Sequence, residues 1–115
     1  VDWLEACLEG ELARLPMAWR AESAVCLILA SGGYPGSYRK GLSIEGLGIL
    51  SGAPNLKAFY AGVKRDDAGE MVTSGGRVLG ITAWAPSQSE AADRAYAAAE
   101  RIAFEGKFFR TDIAR

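Results

Sequence analysis

Short apolar runs alternate with glycine-dense loops along the chain, and that rhythm predicts its elements. "DWLEACLEGEL", Asp2 to Leu12, carries apolar residues at Trp3, Leu4, Cys7 and Leu8. This i, i+3, i+4 spacing predicts a helix, with Asp2 as its N-cap and Gly10 and Pro16 bracketing its end. "SAVCLILA", Ser23 to Ala30, is rich in β-formers and predicts a strand buried on both faces. "LSIEGL", Leu42 to Leu47, alternates and predicts a short strand.

"LKAFYAGVK", Leu56 to Lys64, and "EMVTS", Glu70 to Ser74, flank "RDDAG", which predicts a hairpin turning at Ala68-Gly69. "RVLGITAWA", Arg77 to Ala85, is a further strand that Pro86 ends, and its Gly80 suggests a bulge or a close backbone approach. The clearest helix is "SQSEAADRAYAAAERI", Ser87 to Ile102. Ser87 and Glu90 form a capping box, Glu90 and Arg94 an i, i+4 pair. Ala91, Ala95, Ala98, Ala99 and Ile102 make an inward stripe with Tyr96 beside it. The order predicts an α+β fold: one domain over residues 1–115, a small, mainly antiparallel β-sheet with the long helix of the C-terminal half packed on it.

Composition narrows the function classes. A chain of 115 residues, half of them apolar, supports one real core. The net charge is −1, which leaves no electrostatic footprint for nucleic acid or an anionic membrane. No apolar run reaches the ~20 residues of a membrane span, and no signal peptide is visible. Two separated cysteines, Cys7 in the first helix and Cys26 within the apolar run, make neither a zinc site nor a disulfide scaffold. Cys26 reads as a small core residue, and a reduced cytoplasmic setting is expected. Histidine is absent, which removes Ser-His-Asp and Cys-His chemistry. Val1 rather than Met opens the chain, which reads as part of a longer polypeptide.

Candidate chemistry lies in two loops. "SGGYPGSYRKG", Ser31 to Gly41, follows the apolar run, and "TSGGRVLG", Thr73 to Gly80, repeats Ser-Gly-Gly with an arginine behind it. Glycines let backbone N–H groups approach an anion, yet neither loop is a P-loop or a dinucleotide fingerprint. The first also reads as a structural turn set by Gly32, Gly33, Pro35 and Gly36. With the hairpin turning at Ala68-Gly69, Lys64 sits opposite Thr73, four residues before Arg77. The straight-line gap of about 13 Å, at ~3.3 Å per residue, can be bridged by two long side chains and a bend at "SGG". Lys64 and Arg77 then converge on a phosphate; the alternative is two solvated surface cations. Asp66, Asp67 and Glu70 read as turn residues rather than metal ligands. Trp3, Trp19 and Trp84 read as core.

Three stretches, "VCLILASGGYPGSYRKGLSIEGL", "FYAGVKRDDAGEMVTSGGRVLGITAWA" and "AYAAAERIAFEGKFFRTDIAR", together resemble the C-terminal domain of the phosphoribosylamine–glycine ligase family, also called glycinamide ribonucleotide synthetases. The resemblance runs from about residue 2 to the end. It implies an ATP-grasp enzyme of purine biosynthesis that joins glycine to 5-phosphoribosylamine, turning ATP into ADP and phosphate. ATP and magnesium would be bound mainly by the amino-terminal and ATP-grasp domains, absent from this chain, so no catalytic residue and no activity of the chain alone are expected. Lys64 and Arg77, with Gly75 and Gly76, would hold the substrate phosphate, and Arg65 is a second candidate beside Lys64. The competing reading, a biotinyl- or lipoyl-carrier-like module, needs a lysine at a hairpin tip, and "RDDAG" offers none there. A carboxylase or transformylase subunit of the same superfamily is disfavoured by the Ser-Gly-Gly-Tyr-Pro-Gly loop and the Phe-Glu-Gly tail.

Overall fold

A computed structural model describes all 115 residues. Its centre is β5, Arg77–Ala85, whose residues from Val78 to Ala85 are buried apart from the half-buried Thr82 and Trp84. β5 is flanked antiparallel by β1, Ser23–Ala30, and by β2, Leu56–Tyr60. A second, two-stranded antiparallel ribbon pairs β3, Val63–Arg65, with β4, Met71–Thr73. The long helix α2, Gln88–Glu100, packs across β1 and β5. The fold is therefore the expected α+β arrangement of a small antiparallel sheet and one long helix.

α2 forms where the periodicity places it. Ser87 caps it by accepting from the Glu90 N–H at 3.3 Å. Ala91, Ala95, Ala98, Ala99, Tyr96 and Ile102 are all buried, and the small side chains let helix and sheet approach closely. The Glu90–Arg94 ion pair is not made; Arg94 donates instead to the Trp84 carbonyl at 3.2 Å. Lys107 closes the helix by donating through Nζ to the carbonyls of Ala99 and Ile102. The tail is clamped by the Tyr96 hydroxyl, which accepts from the Ile113 N–H and donates to the Arg110 carbonyl, both at 2.9 Å.

Several sequence-based expectations are corrected. β1 is not buried on both faces: Val25, Leu27 and Leu29 face the core, whereas Ala24, Cys26 and Ile28 alternate outward and are exposed. The helix covers only one side of the sheet, so Cys26 is not a core residue. Leu42–Leu47 forms no strand, only single bridges from Ser43 to Val72 and from Glu45 to Ala103, and then a 3-10 turn, Leu47–Leu50. The run Leu56–Lys64 breaks at Ala61-Gly62 into β2 and β3. The first helix, α1, spans Asp2–Glu9; its N-cap is Val1, and its one buried residue is Ala6. Its apolar stripe is therefore not a core face. Trp3 is 39% exposed and Trp19, beyond the helix, 86%, so neither is core; Trp84 is half-buried. The bulge in β5 falls at Val78, skipped between the Leu29–Leu79 and Ala30–Arg77 pairs, not at Gly80.

Candidate substrate-phosphate site

Antiparallel pairing brings the end of β1 beside the start of β5, with Ala30 opposite Arg77. The loop that leaves β1 and the loop that enters β5 are therefore neighbours, although Ser31 and Gly75 are 44 residues apart. Ser31 joins them. Its N–H donates to the Gly76 carbonyl at 2.8 Å, its hydroxyl to the Gly75 carbonyl at 2.9 Å. The serine is 1% exposed.

Glycine is required on both sides of this junction. A Cβ on Gly76 would run into the Tyr34 ring, and one on Gly32 would sit 2.8 Å from the Gly106 carbonyl oxygen. The Ser-Gly-Gly-Tyr loop thus touches the second Ser-Gly-Gly loop on one side and the Phe-Glu-Gly tail on the other. Ser74 in turn donates to the Gly62 carbonyl at 2.7 Å, and Gly62 to the Arg77 carbonyl at 2.8 Å.

Beside this junction opens a cleft of about 600 Å³. Ile28 and Gly80, paired across β1 and β5 on the face away from α2, line it with Tyr34, Ala61, Gly62, Gly76 and Arg77. Tyr34 and Arg77 also line a smaller apolar cleft of about 240 Å³ that includes Phe108, Phe109 and Ile113. Neither the Gly75 nor the Gly76 N–H donates to any group in the chain, and the exposed Arg77 guanidinium has no ion pair or hydrogen bond. Two unused amides beside a free guanidinium can surround an anion and bond several of its oxygens.

Of the four residues the sequence points to, the structure puts Gly75 and Gly76 in the loop that enters β5 and Arg77 at the first position of that strand, with Gly76 and Arg77 in the cleft wall. Lys64 is not in that wall. It pairs with Val72 rather than Thr73, because the turn holds five residues, Asp66 to Glu70, with Gly69 at φ 88. Lys64 stands two residues beyond Gly62, exposed and without an ion pair. Arg65 is committed elsewhere, donating to the Gly69 carbonyl at 2.7 Å. Asp66 serves the turn by accepting from the Ala68 and Glu70 N–H groups at 3.0 and 2.9 Å. Nowhere do three acidic or cysteine side chains gather into a group that could hold a metal ion. Sequence reasoning points the Ser31–Gly36 loop toward the cleft or the lid domains but assigns it no ligand, and it does not single out Gly62.

Residues 24–115 match the family model described as phosphoribosylglycinamide synthetase, C domain. The chain belongs to this family. Among its relatives, the phosphoribosylamine–glycine ligase of Caldanaerobacter subterraneus is 48% identical over 114 residues, covering 99% of this chain and 26% of the relative. That of Synechocystis is 46% identical over 111 residues, covering 96% and 26%. The solved phosphoribosylamine–glycine ligase of Thermotoga maritima superposes with a TM-score of 0.76 at 37% identity, over 96% of this chain and 27% of that one. The chain thus spans about a quarter of the length of these family members. α1 and the segment up to Ser23 precede the matched domain, which begins one residue into β1 and includes both glycine loops, the cleft and the tail.

Proposed function

We propose that this chain is the C-terminal lobe of a ligase that joins glycine to 5-phosphoribosylamine at the expense of ATP, and that its cleft takes the sugar phosphate. The observation that carries the reading is the Gly75–Gly76–Arg77 run, with two unused amides and an unpaired guanidinium, in which Gly76 and Arg77 line a cleft wide enough for a phosphosugar. Lys64, exposed, without an ion pair and two residues beyond the cleft-lining Gly62, is the cation we assign to supplement the charge there. Arg65 is held in the turn and takes no part.

The reaction proceeds in two displacements. A glycine carboxylate oxygen attacks the γ-phosphorus of ATP and ADP departs, leaving an acyl phosphate. The amine of phosphoribosylamine then attacks the acyl carbon, phosphate leaves with the bonding pair, and the nitrogen gives up a proton. The amide of glycinamide ribonucleotide results. This lobe binds and orients the amine-bearing sugar by its phosphate end, so that the amine meets the acyl carbon at high effective concentration. ATP and magnesium fall to polypeptide outside the chain, whose acidic side chains do not converge on a metal position, so no step here runs through the ion. No helix is long and apolar enough to cross a membrane, and a cytoplasmic enzyme is the setting that fits this chemistry. A carrier role has less support, since the hairpin tip bears Asp66, Asp67 and Ala68 and no lysine.

The test is ligase activity of the polypeptide that unites this chain with the upstream three-quarters seen in its relatives. Glycinamide ribonucleotide should form only with ATP, glycine and phosphoribosylamine together. Arg77→Ala should raise the KM for phosphoribosylamine about 10–100-fold, the worth of a charge-assisted hydrogen bond. An unchanged KM would remove Arg77 from the site.

A further inference from the structure

We propose that Ser31 and Tyr34 are positioning residues for the substrate phosphate: the first glycine loop exists to hold the second in its anion-binding shape. The inference rests on the phosphate reading above and assigns to that site two residues that touch no phosphate themselves.

Glycine pairs are the most mobile backbone available, and a mobile loop binds an anion poorly because binding must first order it. Here the carbonyls of Gly75 and Gly76 are both tied. Ser31 takes the Gly75 carbonyl with its hydroxyl at 2.9 Å and the Gly76 carbonyl with its own N–H at 2.8 Å. The carbonyl of one residue and the N–H of the next belong to one planar peptide unit and point in opposite directions. Fixing the Gly75 carbonyl inward therefore fixes the Gly76 N–H outward, and fixing the Gly76 carbonyl does the same for the Arg77 N–H. No group in the chain accepts the Gly76 N–H.

Tyr34 fixes the remaining freedom. Its ring covers the place where a Gly76 side chain would start, and it shares both clefts with Arg77. The ring blocks the glycine loop from swinging toward β1 and walls the guanidinium into the larger cleft. The phenolic hydroxyl makes no hydrogen bond in the chain, whereas the hydroxyls of Ser31 and Tyr96 do. The Tyr34 contribution is therefore that of the ring. Ser31 itself stays put because it continues β1, where the neighbouring Ala30 is locked on both edges, to Arg77 and to Phe108.

The experiment is steady-state kinetics of the full-length ligase carrying Ser31→Ala, Tyr34→Leu, Tyr34→Phe or Arg77→Ala. Competitive inhibition by ribose 5-phosphate is measured alongside. Ser31→Ala and Tyr34→Leu should each raise the KM for phosphoribosylamine and the inhibition constant of ribose 5-phosphate about tenfold, roughly the loss of one hydrogen bond's worth of order. The KM values for ATP and glycine, and kcat, should stay within about twofold. Tyr34→Phe, which keeps the ring, should restore most of the phosphate affinity that Tyr34→Leu loses. A general loss of folding would lower kcat and active-enzyme content without this split. The exposed Tyr34→Leu site keeps the test open should Ser31→Ala unfold the lobe. If Arg77→Ala weakens phosphate binding while Ser31→Ala and Tyr34→Leu do not, the positioning role is overturned and the phosphate site stands. If none of the three matters, both fall. If Tyr34→Phe is as impaired as Tyr34→Leu, the hydroxyl acts directly and the positioning role of the ring is wrong.

Discussion

Gly62 and Gly75 pass so close that a Cβ built on Gly62 would lie 2.6 Å from the Gly75 Cα. This contact explains why the run from Leu56 to Lys64 cannot continue as one strand: the chain must bend at Ala61-Gly62 to make room for the glycine loop that enters β5. Gly62→Ala would force backbone against backbone, including the Arg77 carbonyl oxygen at 2.6 Å. The expected cost is about 1–3 kcal/mol of stability, the usual price of overpacking, read as a lower urea midpoint. Substrate-phosphate affinity should fall with it, because the displaced segment carries Gly75 and Arg77. Gly48→Ala, at a glycine with nothing within 4 Å of its built Cβ, serves as the control and should be nearly neutral.

The Lys107 ammonium is expected to hold the end of α2. It donates at 2.9 Å to Ala99, whose carbonyl also accepts from the Ile102 N–H, and at 2.6 Å to the Ile102 carbonyl just past the helix. Lys107→Met keeps the stem and removes the donors, and should cost about 1.5–3 kcal/mol, visible as a drop in Tm of several degrees. An unchanged Tm would mean that water replaces the ammonium without loss.

At the other end of α2, Ser87→Ala should cost about 1 kcal/mol and Ser87→Asp should restore it, since either side chain can accept from the Glu90 N–H. Equal stability of all three proteins would rule out the cap as a contributor.

The pH profile should be flat near neutrality and fall only in acid. No histidine is present to titrate between pH 5 and 8. The hydrogen bond from Arg110 holds the Asp112 carboxyl below its ordinary 3.8. A depressed folded-state value means that this pair's contribution is present above the unfolded value and is lost as pH falls through the lower folded one. Both groups are exposed, so the contribution is small. Tm measured from pH 5.5 to 8 should stay constant, and Asp112→Asn should flatten only the part of the curve below about pH 4.

The elements that proved legible were those whose signals are local. α2 has its cap, its alanine stripe and a 3.6-residue period, and β5 is a long β-forming run stopped by Pro86. The misreadings came from what lies across the fold. Cys26 and Ile28 look like core in an apolar run, but the helix covers one face only. Trp3 and Trp19 have the side chains of a core and stand outside the domain that builds it. The register of Lys64 slipped by one because Asp66 draws five residues into the turn. The site was half legible: the glycines and Arg77 announce themselves, while Ser31 acquires meaning only once β1 is paired antiparallel with β5. That pairing could have been drawn from the sequence, and it would have brought the two Ser-Gly-Gly loops together.

The most direct measurement compares the dissociation constants of ribose 5-phosphate and of ribose for the full-length ligase and its Arg77→Ala variant. The account predicts that the variant loses about tenfold or more in affinity for the phosphate ester while its affinity for ribose is unchanged. Equal losses for both ligands, or none for either, would show that this lobe does not hold the phosphate.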